Sequence, residues 1–527
     1  MSDRPKSTHW ADLTAEKIIR EKGDKDLYTC ASGITPSGTV HVGNFREIIS
    51  VDLTVRALKD MGKNVRFIYS WDDYDVFRKV PKDMPKQEEM ATYLRKPIVL
   101  APDFIDGEES YARANEKRLE KLLPEVGIFP HYIYQATKYR NGDYADSMKV
   151  ALQHRETIRK ELNGSRTSDL PEDWWPVSVF CSKCDRDTTT VLDWDGDYGV
   201  HYSCECGNDE TVDMRSTPWV KLPWRIDWPM RWAYEGVDFE PAGKDHHSDG
   251  GSFDTAKLTC KEVYDHDAPV TFQYDFIAVK GRGGKMSSSA GGVISLAEVL
   301  EVYQPEIIRY LFAGTRPNSE FSISFDLDVL KIYEDYDKCE RTYFSKPEND
   351  KQMKKWEKEA RIYELSQVDS VPEKMPYQIP LRQLTTLLSI HDGDIDKVID
   401  ALGDVEDHQI GRLRRRCECA INWARDFAPE DFKFTINNGT EDLYDVNETE
   451  RKILKLLAAT VEESIDTLTE KEFGVKVYDI AREVGVDSGE MFPLIYKVLI
   501  NKDKGPRIVS FLCTIGKEKL LKVLNRY

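Results

Sequence analysis

A strand, a glycine-punctuated loop, a helix and a second strand follow one another between residues 27 and 70, and no other stretch narrows the possible folds so far. Leu27 to Ser32 is a β-prone run that ends in a loop holding Gly33, Pro36 and Gly38. From about Gly43 to Met61, Ile48, Ile49, Val51, Leu53, Val55 and Leu58 supply the apolar side of a helix, and Val65 to Ser70 reads as the next strand. Two strands joined through a helix in so short a span predict a right-handed crossover unit of a Rossmann-like parallel sheet. Ligands of such a sheet bind at the carboxyl ends of its strands. The loop at 33–44 and the acidic cluster Asp72, Asp73 and Asp75 both fall there.

That loop suits a triphosphate. A helix start presents unpaired N–H groups and partial positive charge, while Gly38 and Gly43 allow close approach of a ligand. His41 and Asn44, three residues apart at the helix start, are predicted to donate to phosphate oxygens in a transition state; the competing reading is an ordinary glycine-rich turn with a capping Asn. Some 240 residues downstream, Lys285-Met286-Ser287-Ser288-Ser289 stands between Gly281, Gly283, Gly284 and Gly291, Gly292. A loop of this composition can close over a triphosphate, with the Lys285 ammonium on the phosphates and hydroxyls donating from Ser287 and Ser288. Alone it could equally be a solvated linker. As a pair, HVGN at 41–44 and KMSSS at 285–289 look like the two ATP-handling signatures of a class I aminoacyl-tRNA synthetase.

The resemblance becomes specific through Ser70–Pro81, Leu222–Ser252 and Phe492–Arg507, and the chain resembles the class I lysyl-tRNA synthetases over nearly its whole length. HVGN departs from the idealised HIGH in its second and fourth residues. The resemblance implies ATP-dependent attachment of L-lysine to tRNA(Lys) through a lysyl-adenylate, with AMP and pyrophosphate released and Mg²⁺ required. It places His41, Asn44, Lys285, Ser287 and Ser288 in catalysis, and Thr35, Gly38, Gly43, Gly243, Asp245, His246 and Lys285 around ATP. It places Gly33, Thr35, Asp72, Trp224, Asp227 and Tyr274 around the amino acid. Asp72 is expected to hold the α-ammonium and Trp224, or a neighbour within 224–228, to form an apolar wall, with Asp227, Tyr274 or Asp245 as side-chain acceptors. Glutamyl-tRNA synthetases, the nearest relatives in active-site layout, carry an Arg where alignment on HVG puts Ala31, so an acidic substrate loses its bidentate partner here. The adjacent His246 and His247 could suggest a metal, but neighbouring side chains point apart and rarely share one ion. Glutamyl specificity and a tRNA-independent adenylylating enzyme are the alternatives; a noncatalytic RNA-binding paralogue would have lost His41 or Lys285.

A metal is expected elsewhere. Cys181 and Cys184, then Cys204 and Cys206, form two close pairs with turn formers and β-prone runs between them, as in a zinc ribbon; His201 could replace one ligand, and two ordinary pairs of reduced thiols would look the same. Residues 97–109 hold no His or Cys, and no further metal is expected there. After about residue 330 a charged, proline-dotted stretch (Trp356–Pro380) gives way to helical periodicity over Leu381–Ile390, Gln409–Phe427 and Ile453–Leu468. Arg412, Arg414, Arg415, Arg416 and Arg425 read as one basic helix face, and Lys502, Lys504 and Arg507 cluster near Gly505; in a synthetase these are candidate phosphate contacts.

The expected architecture is therefore α/β: a Rossmann-like parallel-sheet catalytic domain, with a zinc-ribbon-like insertion, followed by an all-α anticodon-binding region. The segments are 1–170, 171–220, 221–330 and 331–527. A net charge of −19 excludes indiscriminate coating of nucleic acid, so RNA contacts must be gathered on one face. Ten cysteines without a signal-like N-terminus point to reduced thiols or metal ligands. A cytoplasmic monomer that does not engage membranes is expected.

Overall fold

The computed structural model describes residues 7–82, 84–248, 250–280, 294–403 and 405–527. Lys285, Ser287 and Ser288 lie outside the described residues.

The chain forms two compact units, one of residues 1–299, 305–323 and 342–371, the other of 300–304, 324–341 and 372–527. This differs from a single cut near 330. The helix Asp350–Ser366, which runs into the charged stretch 356–380 ahead of its prolines, packs on the helix Pro305–Ala313 of the first unit.

In the first unit, α1 (Trp10–Lys22) lies against α2 (Val42–Asp60), which crosses from β1 (Tyr28–Ile34) to β2 (Val65–Trp71). Then come α3 (Tyr111–Leu122) and β3 (His131–Tyr134). β1 pairs with β2 in parallel from Tyr28↔Val65 to Ile34↔Trp71, and β2 pairs with β3 from Ile68↔His131 to Trp71↔Tyr134. After an antiparallel sheet of β4 (Thr189–Trp194), β5 (Gly199–Cys204) and β6 (Asp209–Asp213), the chain returns through α4 (Trp224–Glu235), β7 (Ala242–Gly243), α5 (Ser252–Tyr264) and β8 (Gln273–Tyr274). Parallel bridges Cys30↔Phe239 and Phe239↔Val270, with β7 beside β8, extend the sheet in the order β3-β2-β1-β7-β8. That order reverses direction beside β1, the place where an open α/β sheet binds ligands.

α2 is buried on nearly every side, so the charges it carries must be neutralised internally. Arg46 donates to the backbone carbonyls of Asp275, Phe276, Arg316 and Ser319 at 2.7–3.1 Å. Asp52 accepts from the fully buried Arg309 at 2.7 Å, and Arg309 also donates to the carbonyls of Val126 and Leu365.

The second unit is helical. Its core joins Ile453, Leu457 and Val461 of the helix Glu448–Ser464 to Phe473, Val477, Ile495, Leu499, Phe511 and Leu512 of the helices that follow. Capping boxes at Asn447/Glu450 and Thr469/Glu472 start two of these helices. The expected basic face is corrected here. Arg416 is buried on Asp337 at 2.6 and 2.9 Å, Arg412 pairs with Glu340 at 2.8 Å, Arg414 with Asp396, Arg425 with Asp426, and Arg415 donates to the Leu300 carbonyl and Glu418. A count of arginines cannot reveal that the acids which neutralise Arg412, Arg414 and Arg416 sit on other helices.

Arg309→Ala should strand Asp52 without its buried partner and destabilise the first unit by about 3–5 kcal/mol. Chemical denaturation followed by tryptophan fluorescence should show the loss as an earlier first transition.

Candidate active site and metal centre

The β1–β2 register puts Gly33 opposite Ser70, and a Cβ built on Gly33 would stand 2.7 Å from the Ser70 carbonyl oxygen. Only glycine permits that approach. Beyond the last pair, the Asp72 N–H donates to the Ile34 carbonyl, so Thr35 and the acidic cluster leave the sheet side by side.

His41 is the N-cap of α2, not a member of its first turn. Its Nδ1 accepts from the Asn44 N–H at 3.3 Å while Asn44 Oδ1 accepts from the His41 N–H at 3.4 Å. A neutral ring that accepts at Nδ1 carries its proton on Nε2, so the cap fixes the tautomer as well as the helix start. Gly43 follows in the first turn, and the loop carrying Gly38 is tied to α3 by Tyr111 Oη donating to the Ser37 carbonyl and Asn115 to that of Pro36. Ile294 and Ser295 return to the same helix start, where Val42 N–H donates to the Ile294 carbonyl and His41 bridges Ser295.

Four carboxylates are arranged around this edge. Glu47 of α2 accepts from Ser32 Oγ at 2.7 Å, the Gly33 N–H at 3.3 Å and Tyr274 Oη at 2.5 Å. Burial pushes its carboxyl up against the pull of those donors, and the Asp72 charge adds to the shift. Asp72 accepts from Arg231 at 2.6 Å; burial raises it although Arg231 opposes. Asp75 accepts from Thr35 Oγ1 at 2.9 Å and Lys221 Nζ at 2.7 Å; burial pushes it up, but the Lys221 ammonium and these hydrogen bonds hold it below its usual range. Glu240 accepts from the indole N–H groups of Trp228 at 3.1 Å and Trp232 at 2.6 Å, and burial pushes it up to about 7.

An aromatic ladder closes one side. Trp224 stacks on Trp228 at 5.1 Å, Trp228 meets Trp232 at 4.7 Å, and the His246 ring lies 5.5 Å from Trp224. His246 Nδ1 shares a hydrogen bond with Ser252 Oγ at 2.7 Å. Gly243 lies under the Tyr274 ring, 3.5 Å from where its Cβ would be. Asp245 is exposed on the following turn.

Asp227 departs from its expected place as an acceptor for the substrate. It is buried, accepts from Tyr139 Oη and pairs with Arg231 Nε at 3.1 Å, so it orients the arginine that holds Asp72. Arg231, Glu47 and Glu240 are absent from the expected set. Their signal was charge within otherwise apolar stretches, which marks burial before it marks function.

The candidate metal centre is separate from this edge. The sulfurs of Cys181, Cys184, Cys204 and Cys206 all lie within 4.8 Å of one another, with Cys181–Cys206 at 3.6 Å and Cys184–Cys204 at 3.7 Å. Four thiolates about 2.3 Å from one Zn²⁺ in a tetrahedron stand about 3.8 Å apart, so the donor set fits zinc closely. His201 is not among the ligands; its Nε2 pairs with Asp209.

Comparison with known proteins adds the family. Residues 8–369 match the family described as tRNA synthetases class I (K). The lysine–tRNA ligase of Borrelia garinii subsp. bavariensis is 54% identical, the alignment covering 99% of this chain and all of that protein. Those of Treponema pallidum, 53% identical over the whole of both chains, and Pyrococcus horikoshii, 39% identical over 98% and 99%, are similar throughout.

Purified protein should contain one zinc per chain by elemental analysis, and Cys184→Ser should lower that content and the thermal stability of the β4–β6 module together.

Proposed function

Since the chain belongs to the class I (K) tRNA synthetases, we propose that it attaches L-lysine to tRNA(Lys) with ATP as the energy source, in two steps. The lysine carboxylate attacks the α-phosphorus of ATP and displaces pyrophosphate. The terminal ribose hydroxyl of the tRNA then attacks the carbonyl of the lysyl-adenylate, and AMP leaves.

The observation that carries lysine specificity is Glu47, held by Ser32, Gly33 and Tyr274 beside β1. A carboxylate oriented by three donors, with a buried Ala31 where an acidic substrate needs an arginine, suits an ammonium side chain. Tyr274 thus acts through Glu47 and with it, while Asp72, steadied by Arg231, takes the α-ammonium. Trp224 supplies the wall along the butyl stem. Gly33 and Thr35 border the amino acid, and Gly243, Asp245 and His246 the adenylate.

No protein nucleophile is needed. Catalysis is positioning and charge stabilisation by His41, Asn44, Lys285, Ser287 and Ser288 around phosphates that carry Mg²⁺. Gly38 and Gly43 let the triphosphate reach the N-terminus of α2. Zinc held by the four cysteines supplies structure alone. Lys504 and Arg507, exposed on the helical unit, remain the phosphate contacts of an anticodon-binding region. Among the described residues no helix is long and apolar enough to cross a membrane; a cytoplasmic monomer is the reading that accompanies this function.

Pyrophosphate exchange with each of the twenty amino acids, in the presence and absence of tRNA, should select lysine; selection of glutamate would refute the assignment. His41→Asn keeps an N-cap acceptor and removes the Nε2 donor, so folding stability should hold while kcat for adenylate formation falls about 10²–10³-fold. Lysine binding should weaken as pH falls through the raised Glu47 value, because only the carboxylate pairs with the ammonium, and Glu47→Gln should flatten that profile in titrations of lysine affinity.

A further inference from the structure

The carboxyl ends of β2 and β3 border a second hollow, of about 370 Å³, for which the chemistry above has no use. Asp73 and Glu116 face it with Arg113, Tyr134, Thr137 and Arg140. Glu116 is 1% exposed, and only its Oε2 is engaged, by Arg113 at 2.9 Å; Oε1 accepts no hydrogen bond. A buried oxygen of this kind costs about 1–3 kcal/mol when left without a donor. Arg113 is already shared with both oxygens of Glu120. Asp73 is also buried and accepts the Ala136 N–H at 2.7 Å. Burial pushes the Asp73 carboxyl up to about 8 and that of Glu116 to about 7, in Glu116 against the opposing pull of Arg113.

We propose that this hollow receives a base bearing an exocyclic amine, cytosine or adenine, from the single-stranded 3′ end of the tRNA, with the amine donating to Glu116 Oε1 and a phosphate of the same strand meeting Arg140. The proposal rests on the tRNA-charging reading and adds its acceptor-end subsite. Every tRNA ends in two cytidines and an adenosine, all of which carry such an amine. A buried carboxylate beside an aromatic ring is a recurrent way of reading the edge of a splayed base. Volume and lining agree with one nucleotide. A metal ion fits poorly, since two cationic guanidiniums line the same hollow and a hard cation needs about six oxygens. Location agrees as well. The hollow follows β2 and β3 at the sheet edge where Asp72 stands, and the terminal hydroxyl must reach that edge to meet the adenylate.

The test is a cycle of two proteins and two RNAs: wild type and Glu116→Gln, each binding a tRNA(Lys) transcript that is intact or shortened by its two terminal cytidines and adenosine. Wild type should prefer the intact RNA, and E116Q should lose about tenfold on the intact RNA with no loss on the shortened one. Arg140→Ala, at an exposed position whose guanidinium lies over the Tyr74 ring, should reproduce the pattern. Equal losses on both RNAs, or none on either, would overturn the proposal, as would stoichiometric Mn²⁺ binding that E116Q abolishes. A wild-type protein that charges no tRNA would instead refute the functional reading itself, so the two failures are distinguishable.

Discussion

Everything at the reacting edge depends on the parallel pairing of β1 with β2, and above all on its sixth rung, Gly33 against Ser70. The approach there leaves no room for a Cβ, so the strands stay paired until Ile34 and Trp71 and then separate together. Thr35 and Asp72 leave the sheet as neighbours because of that register. A shift by one residue would turn every alternate side chain to the opposite face and scatter the acidic cluster. The N-cap of α2 depends on the same geometry, since the loop from Thr35 to Val40 has to span from the end of β1 to His41.

Among the described residues the site is short of positive charge. Glu47, Asp72 and Glu240 are each pushed up by burial, whereas the cations present, Arg231 and Lys221, are bound to Asp72 with Asp227 and to Asp75. Lysine brings two ammonium groups into such a field, and each would stabilise a carboxylate that burial disfavours. Glutamate would add a further negative charge with no arginine at position 31 to receive it. Ala31 belongs to the buried cluster of Trp228 and Trp232, so packing as well as charge bears on that position.

How much of this could be read from the chain divides along physical lines. The crossover at 27–70 was legible because hydrophobic periodicity and glycine punctuation are local, and the observed elements differ from the expected ones by one or two residues at their ends. The four cysteines were legible because thiolates in close pairs have few other uses, although exclusion of His201 required its contact with Asp209. Glu47 was not, since an acid inside a helix takes its meaning from Ser32 and Tyr274, the latter 227 residues away. Asp227 and the arginines of the helix Asp407–Asp426 misled for the same reason: a charge in sequence does not announce whether its partner is a substrate or another side chain.

Lys221 is one side chain that joins the cysteine module to the reacting edge. Val220–Lys221 pairs with Ser178–Val179 to close the module, and Phe180 N–H donates to the Trp219 carbonyl one step further in. Lys221 then sends its ammonium to Asp75 and the Tyr74 carbonyl, and Asp75 in turn holds Thr35. A buried lysine is costly unless its partner is fixed, so Lys221 favours the arrangement in which Asp75 and Thr35 are in place. Loss of the tetrahedral site would free the strand that positions Lys221, leave Asp75 buried without its counter-charge and loosen Thr35. A metal held by the four cysteines would therefore act on the reacting edge from a distance, because the strand that leaves its module carries the cation bound to Asp75, which in turn holds Thr35.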